Sequence, residues 1–180
     1  MGKFFSAEHE DIRNGSTTDV YFQRTEQILK AKGLLDTPTR SEFTVASLPD
    51  AWPWAVLCGT EEMVRILEGR DLDLYALPEG SIFTSRSKRG VKLPVAAIDG
   101  PYGQYCSLET PALGFICYAS GVATMAARCK KASGGLPVIS FGVRRMHPAM
   151  APVIDRSSYI GGCDGVSSLK GAELVGKPAS

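Results

Sequence analysis

No C-x-x-C pair occurs among the five cysteines of this chain, Cys58, Cys106, Cys117, Cys129 and Cys163, which argues against a zinc site. Their scatter, three of them within strongly apolar sequence, points to reduced, buried thiols of a cytoplasmic protein rather than to a disulfide framework. Neither sign of charge dominates. Twenty Lys and Arg against 19 Asp and Glu leave a net charge of +1, so there is no general nucleic-acid footprint and any anion site is local. The apolar run from Ala112 to Ala127 is shorter than the roughly 20 residues that cross a bilayer. Gly114, Ser120, Gly121 and Thr124 interrupt it, so a buried core helix is expected and no membrane association. No signal-peptide pattern opens the chain, because Met1-Gly2-Lys3-Phe4-Phe5-Ser6 runs straight into acidic residues. Gly2 and Ser6 fit the short acylation pattern M-G-x-x-x-[ST], a weak motif with many chance matches. Internal repeats, low-complexity tracts and a Ser-His-Asp pattern are all missing.

What is present is the composition of a soluble globular protein, 44% hydrophobic and 22% charged over 180 residues, enough for one domain or two small ones. Ser16-Thr17-Thr18-Asp19 reads as a helix start, Tyr21, Thr25, Ile28 and Leu29 keep helical spacing, and Gly33 marks the end. Strands are expected over Glu42–Ala46 and Trp54–Leu57. Thr60 caps a compact helix, Glu61–Glu68, with acids in its first turn, Met63, Val64, Ile66 and Leu67 on its core face, and Gly69 as its stop. Leu72–Ala76 alternates with period two, Pro78-Glu79-Gly80-Ser81 supplies a turn before Ile82 and Phe83, and Val91–Ile98 resumes extended structure. Ser85–Gly90 is a basic, solvated loop tip, and His9 a surface residue. Cys106–Ala132 suits a buried helix with Pro111 near its first turn, ending at Ser133-Gly134-Gly135.

The pattern then becomes strand, helix, strand. Leu136–Phe141 is brief, β-branched and bounded by glycines, Pro148–Tyr159 has helical signals, and Cys163–Val166 forms a second short strand. A further helix covers Ser168–Leu174. The expected fold class is α/β: an N-terminal α+β domain over 1–105, a connecting buried helix over 106–135, and the first βα units of an α/β barrel over 136–180. Two strands do not make a barrel, so the chain reads as part of a longer protein. Ligands of parallel α/β folds collect at the C-terminal ends of strands, which puts Arg144, Arg145 and Asp164 on one expected rim suited to an anion. Each residue keeps a second reading. Phe141 also fits a core aromatic at a strand end, Arg144 a salt bridge to Asp155 or Glu109, and Asp164 a cap for the following helix. Tyr21 also fits the apolar face of its helix. His147, before Pro148, suits a bond to a free backbone N–H or to a phosphate better than acid–base chemistry.

Several ordered motifs carry a resemblance: Thr17-Thr18-Asp19-Val20-Tyr21, Ala76-Leu77-Pro78-Glu79-Gly80, Ala119-Ser120-Gly121-Val122-Ala123-Thr124, Ile139-Ser140-Phe141-Gly142-Val143-Arg144-Arg145, and the run from Ile154 to Val166. Together they resemble nicotinate phosphoribosyltransferase, of the type II phosphoribosyltransferase family, over its N-terminal portion. The resemblance implies an N-terminal α/β domain before an irregular barrel. It also implies a site completed across a homodimer interface, and transfer of phosphoribosyl from phosphoribosyl pyrophosphate to nicotinate in NAD biosynthesis. This is ligase and glycosyltransferase chemistry, with Mg²⁺ accompanying the diphosphate and ATP coupled in many members. It assigns ring stacking to Phe141 and the phosphoribosyl pyrophosphate to Arg144. Asp164 takes a base-proximal place, and Tyr21, with Asp19 beside it, lies on the other ring face from the neighbouring subunit. Arg144 and Asp164 are thus the expected catalytic residues. Arg145 and His147 complete the substrate-binding set with Tyr21 and Phe141, and no residue is assigned to a resident metal. The alternatives are a quinolinate or nicotinamide phosphoribosyltransferase of the same fold, or a non-catalytic chain acting in subunit association.

Overall fold

A computed structural model describes residues 4–180; Met1 and Gly2 of the acylation pattern lie outside the described residues. Besides five short 3₁₀ turns, thirteen α-helices and strands follow in order among these residues: α1 (His9–Arg13), α2 (Val20–Ala31), β1 (Pro38–Thr44), β2 (Ala55–Val56), α3 (Thr60–Leu67), β3 (Asp73–Ala76), β4 (Ile82–Phe83), β5 (Pro94–Pro101), α4 (Glu109–Ala132), β6 (Ile139–Ser140), α5 (Ala151–Ile160), β7 (Gly165–Val166) and α6 (Leu169–Val175). The chain divides into two compact units. One takes residues up to Ala46, Thr60–Leu77 and Ser85–Phe115; the other takes Ser47–Gly59, Pro78–Thr84 and Ile116–Ser180. The α/β class expected from the sequence is the one observed.

The first unit is built on an antiparallel sheet in the order β1-β5-β3. β5 is central because Val95, Ala96, Ala97 and Ile98 are all buried, and small or branched side chains suit a strand covered on both faces. Phe43 pairs with Ala96, and the register shifts between Phe43 and Thr44, so β1 ends there and Val45 does not continue it as expected. The fully buried Tyr105 ties the sheet from below, its hydroxyl 2.7 Å from both Thr39 Oγ1 and Ser41 Oγ. In α3, Met63, Ile66 and Leu67 face the core as expected, whereas Val64 is half exposed: a turn of 3.6 residues cannot bring four positions out of five onto one narrow face. The start of α2 also differs. Its N-cap is Asp19, not Ser16, and Phe22 is its buried aromatic while Tyr21 and Ile28 are exposed.

The second unit holds the pair β2-β4, antiparallel, and the pair β6-β7, parallel. Val56, Cys58, Ala119 and Ala123 form a core cluster, with Trp54, Ala127 and Ile160 packed on it. Cys106–Ala132 is long and apolar enough to cross a membrane by length and composition, which the expected length limit did not allow. Its hydroxyls nevertheless face the backbone of β2 and of the residues just after it: Thr124 Oγ1 and Ser120 Oγ accept from the Val56 and Cys58 N–H groups, both at 2.9 Å. Four helical residues rise about 6 Å and two strand residues about 6.6 Å, so hydroxyls at i and i+4 match amides at j and j+2. Gly161 lets α5 end against α4, since a Cβ there would overlap the Ala123 carbonyl. Of the cysteines, Cys58, Cys106 and Cys163 are buried as expected, but Cys117 and Cys129 are exposed. Burial pushes the Cys58 thiol up, only partly countered by its contact with Ser157, so it is a poor nucleophile.

Candidate functional site

The expected strand over Leu136–Phe141 shrinks to Ile139–Ser140. Pro137 has no N–H to donate, and the Val138 N–H donates to Asp164 Oδ2 at 2.7 Å instead of to a strand. Ile139 pairs with Gly165 and Ser140 with Val166, in parallel. Phe141 and Ser167 therefore follow immediately at the C-terminal ends of neighbouring strands. Beyond Phe141 the chain makes a 3₁₀ turn, Val143–Arg145, and a second one, Pro148–Met150, before α5.

This rim carries two exposed side chains and, beside them, one buried hydroxyl without a partner. Phe141 is 57% exposed, so its ring is not a core aromatic. Arg144 is exposed and its guanidinium makes no ion pair or hydrogen bond among the described residues; Asp155 is committed elsewhere, and Glu109, in the other unit, accepts from Tyr102 at 3.2 Å. Ser167 Oγ is buried and has no hydrogen-bond partner, the one such side-chain atom among the described residues. A buried hydroxyl without a partner is rare enough to call for a bound molecule or water. Ser167 is not among the site residues expected from the sequence. Its trace was available as the first polar residue after the second apolar strand, the position where α/β folds place ligand contacts.

Arg145 and His147 brace the same segment. Arg145 donates to the Phe141 carbonyl at 3.3 Å. His147 caps the second 3₁₀ turn, its Nδ1 accepting from the Ala149 N–H at 3.2 Å, the backbone bond expected from its place before Pro148. That bond puts any imidazole proton on Nε2, which stays available at the surface.

Asp164 does not share this rim. It precedes β7 and is level with Val138, so about 10 Å of strand separates it from Phe141. Its carboxylate receives Lys130 Nζ at 2.7 and 3.0 Å as well as the Val138 N–H. Those bonds, Lys130 first, hold it below the usual carboxylate range. Nor does it cap the next helix: Ser168 does, accepting from the Gly171 N–H at 3.0 Å.

Other motif residues prove to be joints. Glu79 pairs with Arg156 at 2.7 Å and accepts from the Gly59 N–H at 2.7 Å. Asp155 is wholly buried; Oδ1 accepts from Ser140 Oγ at 2.9 Å, and Oδ2 accepts from the Ser168 N–H and Oγ at 3.0 and 2.6 Å.

Tyr21 belongs to the first unit. It is 55% exposed at the start of α2, which removes the reading that it lies on the helix's apolar face. Thr110 fixes that start, its hydroxyl accepting from the Asp19 N–H at 3.1 Å and donating to Asp19 Oδ2 at 3.2 Å. Shielding from water, then the charges of Asp19 and Glu109, raise the Tyr21 phenol above its ordinary value, so it stays protonated near neutrality. No group of three or more His, Cys, Asp or Glu able to hold a metal ion occurs among the described residues.

The sequence matches the family described as quinolinate phosphoribosyl transferase, N-terminal domain, over residues 19–120. It is 36% identical over 128 residues to nicotinate phosphoribosyltransferase 2 of Arabidopsis thaliana, covering 68% of this chain and 22% of that protein. It is 35% identical over 119 residues to the nicotinate phosphoribosyltransferase of Caenorhabditis elegans, covering 65% and 20%. The chain thus spans about a fifth of the length of these relatives. A solved nicotinate-nucleotide pyrophosphorylase from Pyrococcus furiosus superposes with a TM-score of 0.92 at 46% identity, over 99% of this chain and 44% of that one. Human nicotinic acid phosphoribosyltransferase shares the fold, with a TM-score of 0.80 at 24% identity over 91% and 38%. These matches bear out the resemblance carried by the motifs, and the chain belongs to the quinolinate phosphoribosyl transferase family, whose N-terminal domain it carries.

Proposed function

We propose that the full-length protein containing this chain joins nicotinate to phosphoribosyl pyrophosphate, forming nicotinate mononucleotide and pyrophosphate. The observation that carries this reading is the rim after β6 and β7, where an exposed ring, an unpaired guanidinium and an unsatisfied hydroxyl follow two adjacent strand ends. The relatives named as nicotinate phosphoribosyltransferases support the same substrate class.

In this mechanism Phe141 stacks on the pyridine, whose electron-poor ring suits an aromatic face, and Ser167 Oγ donates to its carboxylate. The ring nitrogen stays free to attack the ribose C1 carbon. As the N–C1 bond forms, the C1–O bond breaks and its electron pair leaves with the diphosphate. Charge builds on the departing oxygens, and Arg144 meets it with bidentate, charge-assisted bonds that lysine would not reproduce. No protein nucleophile is needed. Mg²⁺ carried on the diphosphate would neutralise part of the same charge. Tyr21 covers the second ring face from a neighbouring copy in a homodimer.

Arg144→Ala in the full-length protein is expected to weaken phosphoribosyl pyrophosphate binding by about 1.5–3 kcal/mol, the scale of a hydrogen bond to a charged group. Unchanged affinity in the folded variant, measured by calorimetry, would remove Arg144 from the site. A second reading, quinolinate as the pyridine, is favoured by the family description. Its second carboxylate calls for a further cation at the base, whereas Arg145 is turned to the Phe141 carbonyl. Competition among nicotinate, quinolinate and nicotinamide for one site separates the two readings.

A further inference from the structure

The most demanding group in the second unit is the Asp155 carboxylate, wholly buried and without an ion-pair partner among the described residues. An apolar residue of similar volume would serve packing better, because a buried charge must be compensated bond by bond. Its three bonds have a common direction. Oδ1 accepts from Ser140, the residue before Phe141, and Oδ2 accepts twice from Ser168, the residue after Ser167. One carboxylate thereby ties together the C-terminal ends of β6 and β7, one residue away from each rim contact. Gly171 admits it, since a Cβ at that position would overlap the Asp155 side chain.

We infer that Asp155 is a positioning residue for the pyridine site: through Ser140 and Ser168 it sets the spacing between the Phe141 ring and the Ser167 hydroxyl. The inference rests on the reading of those two residues as pyridine contacts. A carboxylate suits this task because both its oxygens accept, so donors from two strand ends are held at once. Arg144 lies farther along the turn and depends on this link less.

The test uses the full-length protein and steady-state kinetics with each substrate varied. Phe141→Ala tests the underlying reading, and Ser140→Ala and Asp155→Asn, singly and together, test the inference. Ser140→Ala is expected to raise the KM for nicotinate roughly tenfold, the scale of one weakened hydrogen bond to the pyridine carboxylate. Its KM for phosphoribosyl pyrophosphate and its kcat should stay within about twofold, the split expected for lost pyridine binding alone. The double variant should cost no more than the worse single one, as for two members of one link. If Phe141→Ala leaves the nicotinate KM unchanged, the rim reading fails. If Phe141→Ala raises it while Ser140→Ala does not, or if the Ser140 and Asp155 effects add, Asp155 has no positioning role. Should Asp155→Asn not fold, Ser140→Ala carries the decision, because it leaves both Ser168 bonds to the carboxylate in place.

Discussion

Lys130 and the Val138 N–H together hold the Asp164 carboxylate at both oxygens, and this has a consequence in acid. A carboxyl whose pKa is lowered on folding adds stability that is fully present above its unfolded value, near 4, and is lost as the pH falls through the lower folded value. Asp164→Asn is therefore expected to flatten part of the acid limb of the unfolding curve below about pH 4 and to leave nicotinate binding at neutral pH intact. Urea titrations across pH would show it; an unaltered acid limb would mean that the pair is broken in solution. The chemical type of this residue, an acid in a Gly-Gly-Cys-Asp-Gly run, was legible in the sequence. Its end of the sheet was not, because a two-residue parallel strand has no hydrophobic pattern that fixes its start, and a shift of two residues moves a side chain from one rim to the other. Ser167 was legible as the first polar residue after that strand, whose end at Val166 the sequence does place, but an unsatisfied hydroxyl is a property of the packing around it and leaves no local pattern. His147 was legible because a proline after it announces a helix start with a free amide.

The joint between α4 and β2 shows what holds an element whose own ladder is minimal. β2 is two residues long; the Val56 N–H at its end and the Cys58 N–H two residues farther on are satisfied by Thr124 and Ser120 rather than by another strand. Thr124→Val keeps the volume and strands the buried Val56 N–H, so a loss of about 1–3 kcal/mol is expected. Ser120→Ala should act similarly on Cys58. Chemical denaturation measures both, and a loss below about 0.5 kcal/mol would show that water reaches these amides. Helices such as α3 and α4 were readable because caps, glycine stops and long apolar stretches are local properties of sequence. The Ala119–Thr124 motif was visible too, yet its purpose was not. Which hydroxyl meets which amide depends on a strand some sixty residues earlier, and sequence spacing contains nothing of that distance.

For the molecule as a whole, the second unit leaves large apolar side chains in water around its parallel pair: Leu136 is 69% exposed, Ile139 44%, Phe141 57% and Leu169 85%. Parallel strands are normally covered on both faces and flanked by others, and an uncovered edge presents unpaired amides beside apolar surface. Among the described residues β6 and β7 pair only with each other. The 180-residue chain is therefore expected to self-associate through this surface, with a weight-average mass that rises with concentration in sedimentation equilibrium. The substitutions Ile139→Lys and Leu169→Lys fall on exposed side chains, so they should reduce association while leaving the unfolding midpoint within a few degrees. A chain that stays monomeric at high concentration would show that these residues are covered in solution. Association that persists undiminished in the double lysine variant would place the contact elsewhere, with the exposed Tyr75 and Val91 of the first unit as the next surface to charge.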